Sequence, residues 1–493
     1  MRRLLEVLVV LIVAVVITRA FIAEAYIVPT GSMAPALAGN HKTTTCPCCG
    51  YPIMVGHQGR NPLDGGAEEE REAARHYQEA CCPNCGWEQL QLDQVAECQG
   101  DRLLVHKHLF EFRSPRRWEM VVFRNPQVER HYLADTYIKR VVGLPGERVF
   151  ISDGDVYING EIARKSLAEF RGMRLPVFDN DYLPRDGDKQ PRWFGWDRHS
   201  RWQAEENGRR FHIDARAAKA NYDWLSYRHL VRYREDGTVR WVEDDIKDVA
   251  GYNGGQQQER RVHDILLDAD LQCQGAGWLA IALTDGYDDL LIEIPIGLAG
   301  AATVRNVNAN RRLTAKPPPP IVSVSCQITV DQSLHLEAGF VDRRLLLAVN
   351  GKEIFGNVDL PTVLPSGDRR RLRGPLALGG AGPVSLGVYG LEADAGHLRL
   401  FRDIHYTERN GRSVYPNAVN QAVELGTGEF FMLGDNSANS YDSRCWPTPV
   451  IREEYLVGKA FLVHLPTRLL ELRQFGGQRA LAVPDWSRMR LLP

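Results

Sequence analysis

The chain has 493 residues, 44% hydrophobic and 25% charged, an ordinary globular balance on a length too great for one compact core. A net charge of −2, with no long basic block, gives nucleic acid no electrostatic footprint. The cysteines are informative by clustering rather than by number: Cys46, Cys48, Cys49, Cys81, Cys82 and Cys85 lie close together, and only four others are scattered along the chain.

Met1-Arg2-Arg3 precedes an apolar run from Leu4 to Ile17, broken only by Glu6, and the apolar character resumes after Arg19 as far as Val28. A spanning helix needs roughly 20 mostly apolar residues, and a secretory signal an apolar stretch of about 7–15. The run sits between these limits. Ala23-Glu24-Ala25 resembles a small-residue cleavage site, so a removable signal peptide competes with a membrane anchor. In the anchor reading, Arg2 and Arg3 keep the N-terminus cytoplasmic, and everything after about Tyr26 lies outside the cytoplasmic membrane. No second long apolar run follows, so a single span is expected.

Pro29-Thr30-Gly31-Ser32-Met33-Ala34-Pro35 reads as a tight loop, with Gly31 permitting an unusual backbone angle and prolines stiffening both flanks. Next come two C-x2-C-G knuckles, Cys46 with Cys49 and Cys82 with Cys85. Each puts two thiolates on one turn, and two such turns make a tetrahedral zinc site. Four cysteine ligands leave no open position, so the zinc is structural, not catalytic. Disulfides are the rival in an oxidising compartment, and the adjacent pairs Cys48-Cys49 and Cys81-Cys82 leave partners ambiguous. Glu68 to Glu79 reads as a solvated helix between the knuckles. Cys98, Cys273, Cys326 and Cys445 read as buried apolar fillers.

Gly100 to Val105 and Glu119 to Pro126 read as strands, with His106 and His108 as partly exposed residues beyond the first. Tyr137 to Gly146 is an apolar strand closed by a Leu-Pro-Gly turn, with Lys139 inside it. Alternation sends Arg140 to the face opposite Lys139. Val156 to Gly160 ends in an Asn-Gly hairpin turn. From about 175 to 406 short alternating runs with turn signals predict antiparallel β structure. Leu290–Ile296, Ile321–Val330, Val384–Tyr389 and His397–Arg402 are its strands. Leu345–Phe355 is a hairpin with Asn350-Gly351 at the tip, and Pro317–Pro320 a stiff connector. The pattern is similar to concanavalin-like jelly rolls, which raises carbohydrate binding as an expectation by analogy only. Trp193, Trp196, Trp202, Trp224 and Tyr227 read as half-buried aromatic core, with a glycan or partner surface as the competing reading.

Three segments, VPTGSMAPAL, YIKRVVGLPGE and MLGDNSANSYDSRCW, stand in this order. Together they resemble the type I signal peptidases, the serine–lysine leader peptidases, over roughly 1–45, 99–165 and 411–465. The resemblance implies that Ser32 attacks the scissile carbonyl, that Lys139 is its general base, and that Thr30 joins the Ser32 N–H in the oxyanion hole. It also implies that Ser440 orients the lysine, and that Asp442 and Arg444 form a structural ion pair. Where the family reads G-D-N-R-D-N-S, this chain has Ser437 and Ala438 in place of the Arg-Asp. A serine hydroxyl is a poor nucleophile until a base takes its proton, and burial lowers a lysine pKa toward that task.

The expected fold is mainly β. It combines a signal-peptidase-like antiparallel β catalytic domain, one N-terminal transmembrane helix, a small zinc-ribbon-like insert and a β-sandwich (jelly-roll-like) insert. The segments are an anchor at 1–25, catalytic core at 26–45, the Cys-rich insert at 46–98, core again at 99–174, the β-rich insert at 175–406, and core plus tail at 407–493. The implied activity is endoproteolytic removal of signal peptides from translocated precursors at the cytoplasmic membrane, with the catalytic domain extracytoplasmic and membrane lipid as a neighbour. No catalytic cofactor and no nucleic acid are expected. The alternative is a non-catalytic membrane-anchored protein that binds through its zinc ribbon and β-sandwich.

Overall fold

The computed structural model describes residues 3, 6, 23–56, 80–88, 90–124, 136–185, 190–217, 221–253, 260–307, 318–330, 332–363, 382–407, 416–419, 421–474 and 477–492. They are mainly β. The expected N-terminal transmembrane helix is a correction: among the described residues no helix is long and apolar enough to cross a membrane. Residues 7–22, the bulk of the apolar run, lie outside the described residues, as does the expected helix between the knuckles. The end of the run is not helical. Ala23–Ile27 is a strand in which only Ala23 is buried, paired antiparallel with Arg102–His106 so that Ala23 faces His106 and Ile27 faces Arg102.

The sheet that carries the candidate site runs Ala23–Ile27, Arg102–His106, Leu456–Val463, Met120–Arg124, Thr136–Gly143, Glu429–Leu433, Ile451–Arg452. Every pairing is antiparallel, and chain segments far apart in sequence become neighbours. Met120–Phe123 is an uninterrupted buried apolar run, as a strand covered on both faces should be. Val28, Met33, Leu37, Leu103, Val105, Met120 and Val122 share one core cluster, so the loop around Ser32 is anchored by its own apolar side chains.

A three-stranded sheet, Pro52–Gly56, His41–Thr45, Glu97–Cys98, holds the first knuckle. The two knuckles have the same geometry. Gly50 N–H donates to Cys46 O and Gly86 N–H to Cys82 O, with both glycines at positive φ, where a side chain would strain the turn.

The described part of the β-rich insert is dominated by two antiparallel sheets, of nine and seven strands, packed over one large apolar core, with a separate two-stranded sheet at Leu230–Glu235 and Thr238–Glu243. Its inward-facing residues include Ile265, Leu267, Phe340, Ile281, Ile292 and Leu386, at alternate positions of their strands. Of the expected aromatic core, Trp193 and Tyr227 are fully buried with rings 5.3 Å apart. Trp224, Trp196 and Tyr222 cluster separately, with Ala280 and Ala282 of the seven-stranded sheet. The hairpin at Asn350-Gly351 forms with both residues at positive φ, as a two-residue Asn-Gly turn requires. The strand expected over 321–330 is shorter, at Val322–Cys326.

Candidate active site and cysteine centre

The loop bearing Ser32 is a single 3₁₀ turn, Gly31–Met33, pinned at several points. Asn40 N–H donates to Pro29 O and closes it. The buried Asp101 accepts from Ala38 N–H at 2.9 Å, donates its own N–H to Ala38 O, and is paired with Arg488 at 2.7 Å. Thr30 is the residue before the turn. It is exposed and extended, and its side chain makes no cap bond.

Lys139 lies on Thr136–Gly143 opposite Val121, and its side chain is buried. Its Nζ is 2.6 Å from Ser32 Oγ, across 107 residues of sequence. The Tyr137 ring centroid lies 5.9 Å from the same Nζ. Arg140 points away from Lys139 and is fully buried against Asp435.

Residues 434–444 wrap the other side of the loop. Asn436 N–H donates to Ser32 O at 3.0 Å, and Asn436 Nδ2 donates to Gly31 O at 2.9 Å. Gly434 touches both partners: a Cβ there would overlap Ser440 Oγ and Ser32 O. Ser440 is therefore beside the nucleophile loop. Its Oγ is buried and makes no hydrogen bond to Lys139, so the expected bond from Ser440 to Lys139 is not formed. Asp442 and Arg444 form a buried ion pair, with Nε–Oδ1 of 2.9 Å and Nη2–Oδ2 of 2.7 Å. Burial alone would raise the Asp442 pKa, but the Arg444 charge overrides it and holds the carboxyl below its ordinary range. Ser437, one of the two departures from the family pattern, accepts from Arg444 Nη1 at 2.9 Å and from Thr407 N–H at 2.9 Å.

Several residues at the site had no assigned role in the sequence. Asp101, Asp435 and Asn436 lie within recognisable motifs, but their partners are remote. Tyr252 and Asn253, from the β-rich insert, had no signal of any kind. The Tyr252 ring packs with Ala34 and Ala38, and Asn253 hydrogen-bonds Asn436.

The four knuckle cysteines converge, each buried, with their Sγ atoms within 4.8 Å of one another. Cys46 Sγ and Cys85 Sγ are 3.6 Å apart, and Cys49 Sγ and Cys82 Sγ 3.7 Å. A disulfide needs about 2.05 Å, and these four are free thiols. Four sulfurs about 2.3 Å from a central ion stand about 3.8 Å apart at the corners of a tetrahedron, so the spacing fits zinc. Arg232 of the β-rich insert lies 4.7 Å over the Trp87 ring beside the second knuckle.

A serine hydroxyl and a buried lysine amine are thus in hydrogen-bond contact. Residues 95–192 and 397–465 match the family described as signal peptidase, peptidase S26. The resemblance to type I signal peptidases is thereby shown over these two blocks, which flank most of the β-rich insert. Ser32 falls outside both, and only the fold brings it to Lys139. The chain is 38% identical over 91 residues to a probable signal peptidase I-2 of Synechocystis sp., covering 17% of this chain and 40% of that one. It is 42% identical over 64 residues to a signal peptidase I of Leptolyngbya laminosa, covering 12% and 32%. The chain thus spans less than half the length of the curated relatives it matches. Among solved structures, the carbohydrate binding module CBM66 from Bacillus subtilis aligns over 43% of this chain and 95% of its own, with 10% identity and a TM-score of 0.24. That likeness is too low to carry a reading of the insert.

Proposed function

We propose that this chain is a serine endopeptidase that removes signal peptides from precursor proteins, with Ser32 as nucleophile and Lys139 as general base. The observation that carries the reading is the 2.6 Å approach of Lys139 Nζ to Ser32 Oγ. The base must be the uncharged amine. It takes the Ser32 proton as Oγ bonds to the scissile carbonyl carbon, whose oxygen becomes an oxyanion. The Ser32 N–H and the Thr30 hydroxyl donate to that oxyanion. One such donor is worth roughly 3 kcal/mol of barrier. The C–N bond then breaks, and the Lys139 ammonium returns the proton to the departing amine. The Ser32 acyl-enzyme remains until Lys139 deprotonates a water that attacks it, releasing the acid and restoring the hydroxyl. Ser440, buried beside the loop, is the group nearest to a supporting role. The substrate is an extended segment with small residues on the N-terminal side of the cut, as the family resemblance implies.

Cys46, Cys49, Cys82 and Cys85 would hold one zinc ion. With four protein ligands it supplies no Lewis acid to the reaction and stabilises the ribbon beside the nucleophile loop.

The test is cleavage of a signal-peptide-bearing precursor by wild type, Ser32→Ala and Lys139→Ala. Wild type should release the mature protein and both variants should lose at least about a thousandfold in rate. A silent wild type would instead favour the non-catalytic binding protein.

A further inference from the structure

The β-rich insert reaches into the candidate site through one turn, Gly251–Asn253. Asn253 and Asn436 are both buried and exchange two hydrogen bonds. Asn253 Nδ2 donates to Asn436 Oδ1 at 2.7 Å, and Asn436 Nδ2 donates to Asn253 Oδ1 at 2.7 Å. The second hydrogen on Asn436 Nδ2 goes to Gly31 O at 2.9 Å. Both hydrogens of that amide are therefore in use. An amide turned over would set its oxygen against the Gly31 carbonyl and its like atoms against those of the Asn253 amide, so Gly31 O and Asn253 together oppose this turn.

Gly31 O and the Ser32 N–H belong to one planar peptide unit, so a bond that fixes the carbonyl also fixes the direction of the N–H. In the reading above, that N–H is an oxyanion donor. Tyr252 adds a second hold. Its ring contacts Gly31 so closely that a Cβ at Gly31 would overlap it, and so would one at Gly56 of the cysteine-bearing sheet. Its hydroxyl donates to Asn40 O at 3.3 Å, just past the loop. Gly251 sits against Pro83 of the second knuckle, where a Cβ would come within 2.8 Å of the ring. One turn thus touches the nucleophile loop, the 434–444 segment and the cysteine centre.

We propose that Asn253, with Tyr252 behind it, is a positioning residue for the proteolytic reaction: the insert fixes the Asn436 amide, and through it the Ser32 peptide that faces the oxyanion. The inference rests on Ser32 being the nucleophile. A missing donor costs about 10²–10³ in kcat, and a misdirected one should cost less.

The experiment is precursor cleavage by the full chain carrying Asn253→Leu or Asn253→Ala. Val388→Ala, in the sandwich core, serves as a control for general destabilisation of the insert. The expected result is a kcat lowered about tenfold or more in both Asn253 variants with KM unchanged, while bound metal stays at the wild-type level and Tm falls no further than in Val388→Ala. Val388→Ala should lower Tm and leave kcat per folded molecule unchanged. Wild-type kcat in the Asn253 variants would overturn the inference. So would an activity loss that only tracks the folded fraction by Tm and metal content, or one that appears wholly in KM. A wild type that does not cleave overturns the protease reading itself, a different result from an active wild type with active Asn253 variants.

Discussion

Arg140 and Asp435 meet as a fully buried bidentate pair, 295 positions apart in sequence and each next to a residue of the candidate site. Arg140 follows Lys139, and Asp435 precedes Asn436. The guanidinium gives Nε to Oδ1 at 2.8 Å, Nη2 to Oδ2 at 2.5 Å and Nη1 to Trp118 O at 2.6 Å. Burial would lower the Arg140 pKa, but the neighbouring carboxylate overrides it and keeps the group charged. The pair ties the lysine strand to the segment that grips the nucleophile loop, so two remote parts of the chain close on Ser32 together.

Asp435→Ala removes one partner and leaves a buried guanidinium uncompensated. The expected cost is about 3–5 kcal/mol of unfolding free energy, read by urea denaturation. The double variant Arg140→Met, Asp435→Leu removes both charges and should lose less. A single-variant cost below about 1 kcal/mol would show that the pair is not the tie described here.

Gly434 has no room for a side chain, because a Cβ would overlap both Ser440 Oγ and Ser32 O. Ser32 O is backbone and held by Asn436 N–H, so it cannot give way cheaply. Gly434→Ala should therefore displace the nucleophile loop. Precursor cleavage should fall about a hundredfold or more, on the scale of a misplacement of about 1 Å. Near wild-type activity in this variant would mean that the loop tolerates the shift.

The site was legible where chemistry sits in short motifs. Ser32 and Lys139 could be singled out through the resemblance of their motifs to the type I signal peptidases, and the four knuckle cysteines and the Asn-Gly turns at 159–160 and 350–351 by residue type and spacing. The partners that hold them were not, since burial pairs such as Arg140 with Asp435 or Asp101 with Arg488 have no local periodicity. Asn253 was beyond reach for the same reason. Its partner lies 183 residues away, and nothing around a Gly-Tyr-Asn turn marks it as part of an active site. The N-terminal run failed differently. Its apolar character continued to Val28, but from Ala23 the residues form a strand paired with Arg102–His106, so tertiary pairing overrode a composition that suits a helix.

Cys82→Ser replaces one thiolate of the cysteine centre with a poor zinc ligand. Wild type should carry about one zinc per chain by metal analysis, and the variant should lose most of it. The ribbon borders the nucleophile loop through Gly56 and Tyr252, so Tm should fall and cleavage with it. Wild-type protein with no metal and four oxidised cysteines would overturn the zinc assignment.

His229 gives a pH dependence with a definite sign. Its Nδ1 lies 3.0 Å from the Tyr227 hydroxyl and 3.5 Å from Arg192 Nη1. Burial first, then the Arg192 charge, pull the imidazole from 6.5 down to about 3. The unfolded chain therefore takes up a proton near pH 6.5, well before the folded one does. The stabilising contribution is complete above about pH 6.5 and is lost progressively as pH falls toward about 3. At about 1.4 kcal/mol per unit, moving from pH 7 to pH 5 should cost about 2 kcal/mol through this group. His229→Gln keeps a polar partner for Tyr227 and cannot titrate. Urea unfolding at the two pH values should show a smaller drop in the variant by about that amount, and an equal drop in both proteins would assign the acid sensitivity to other groups.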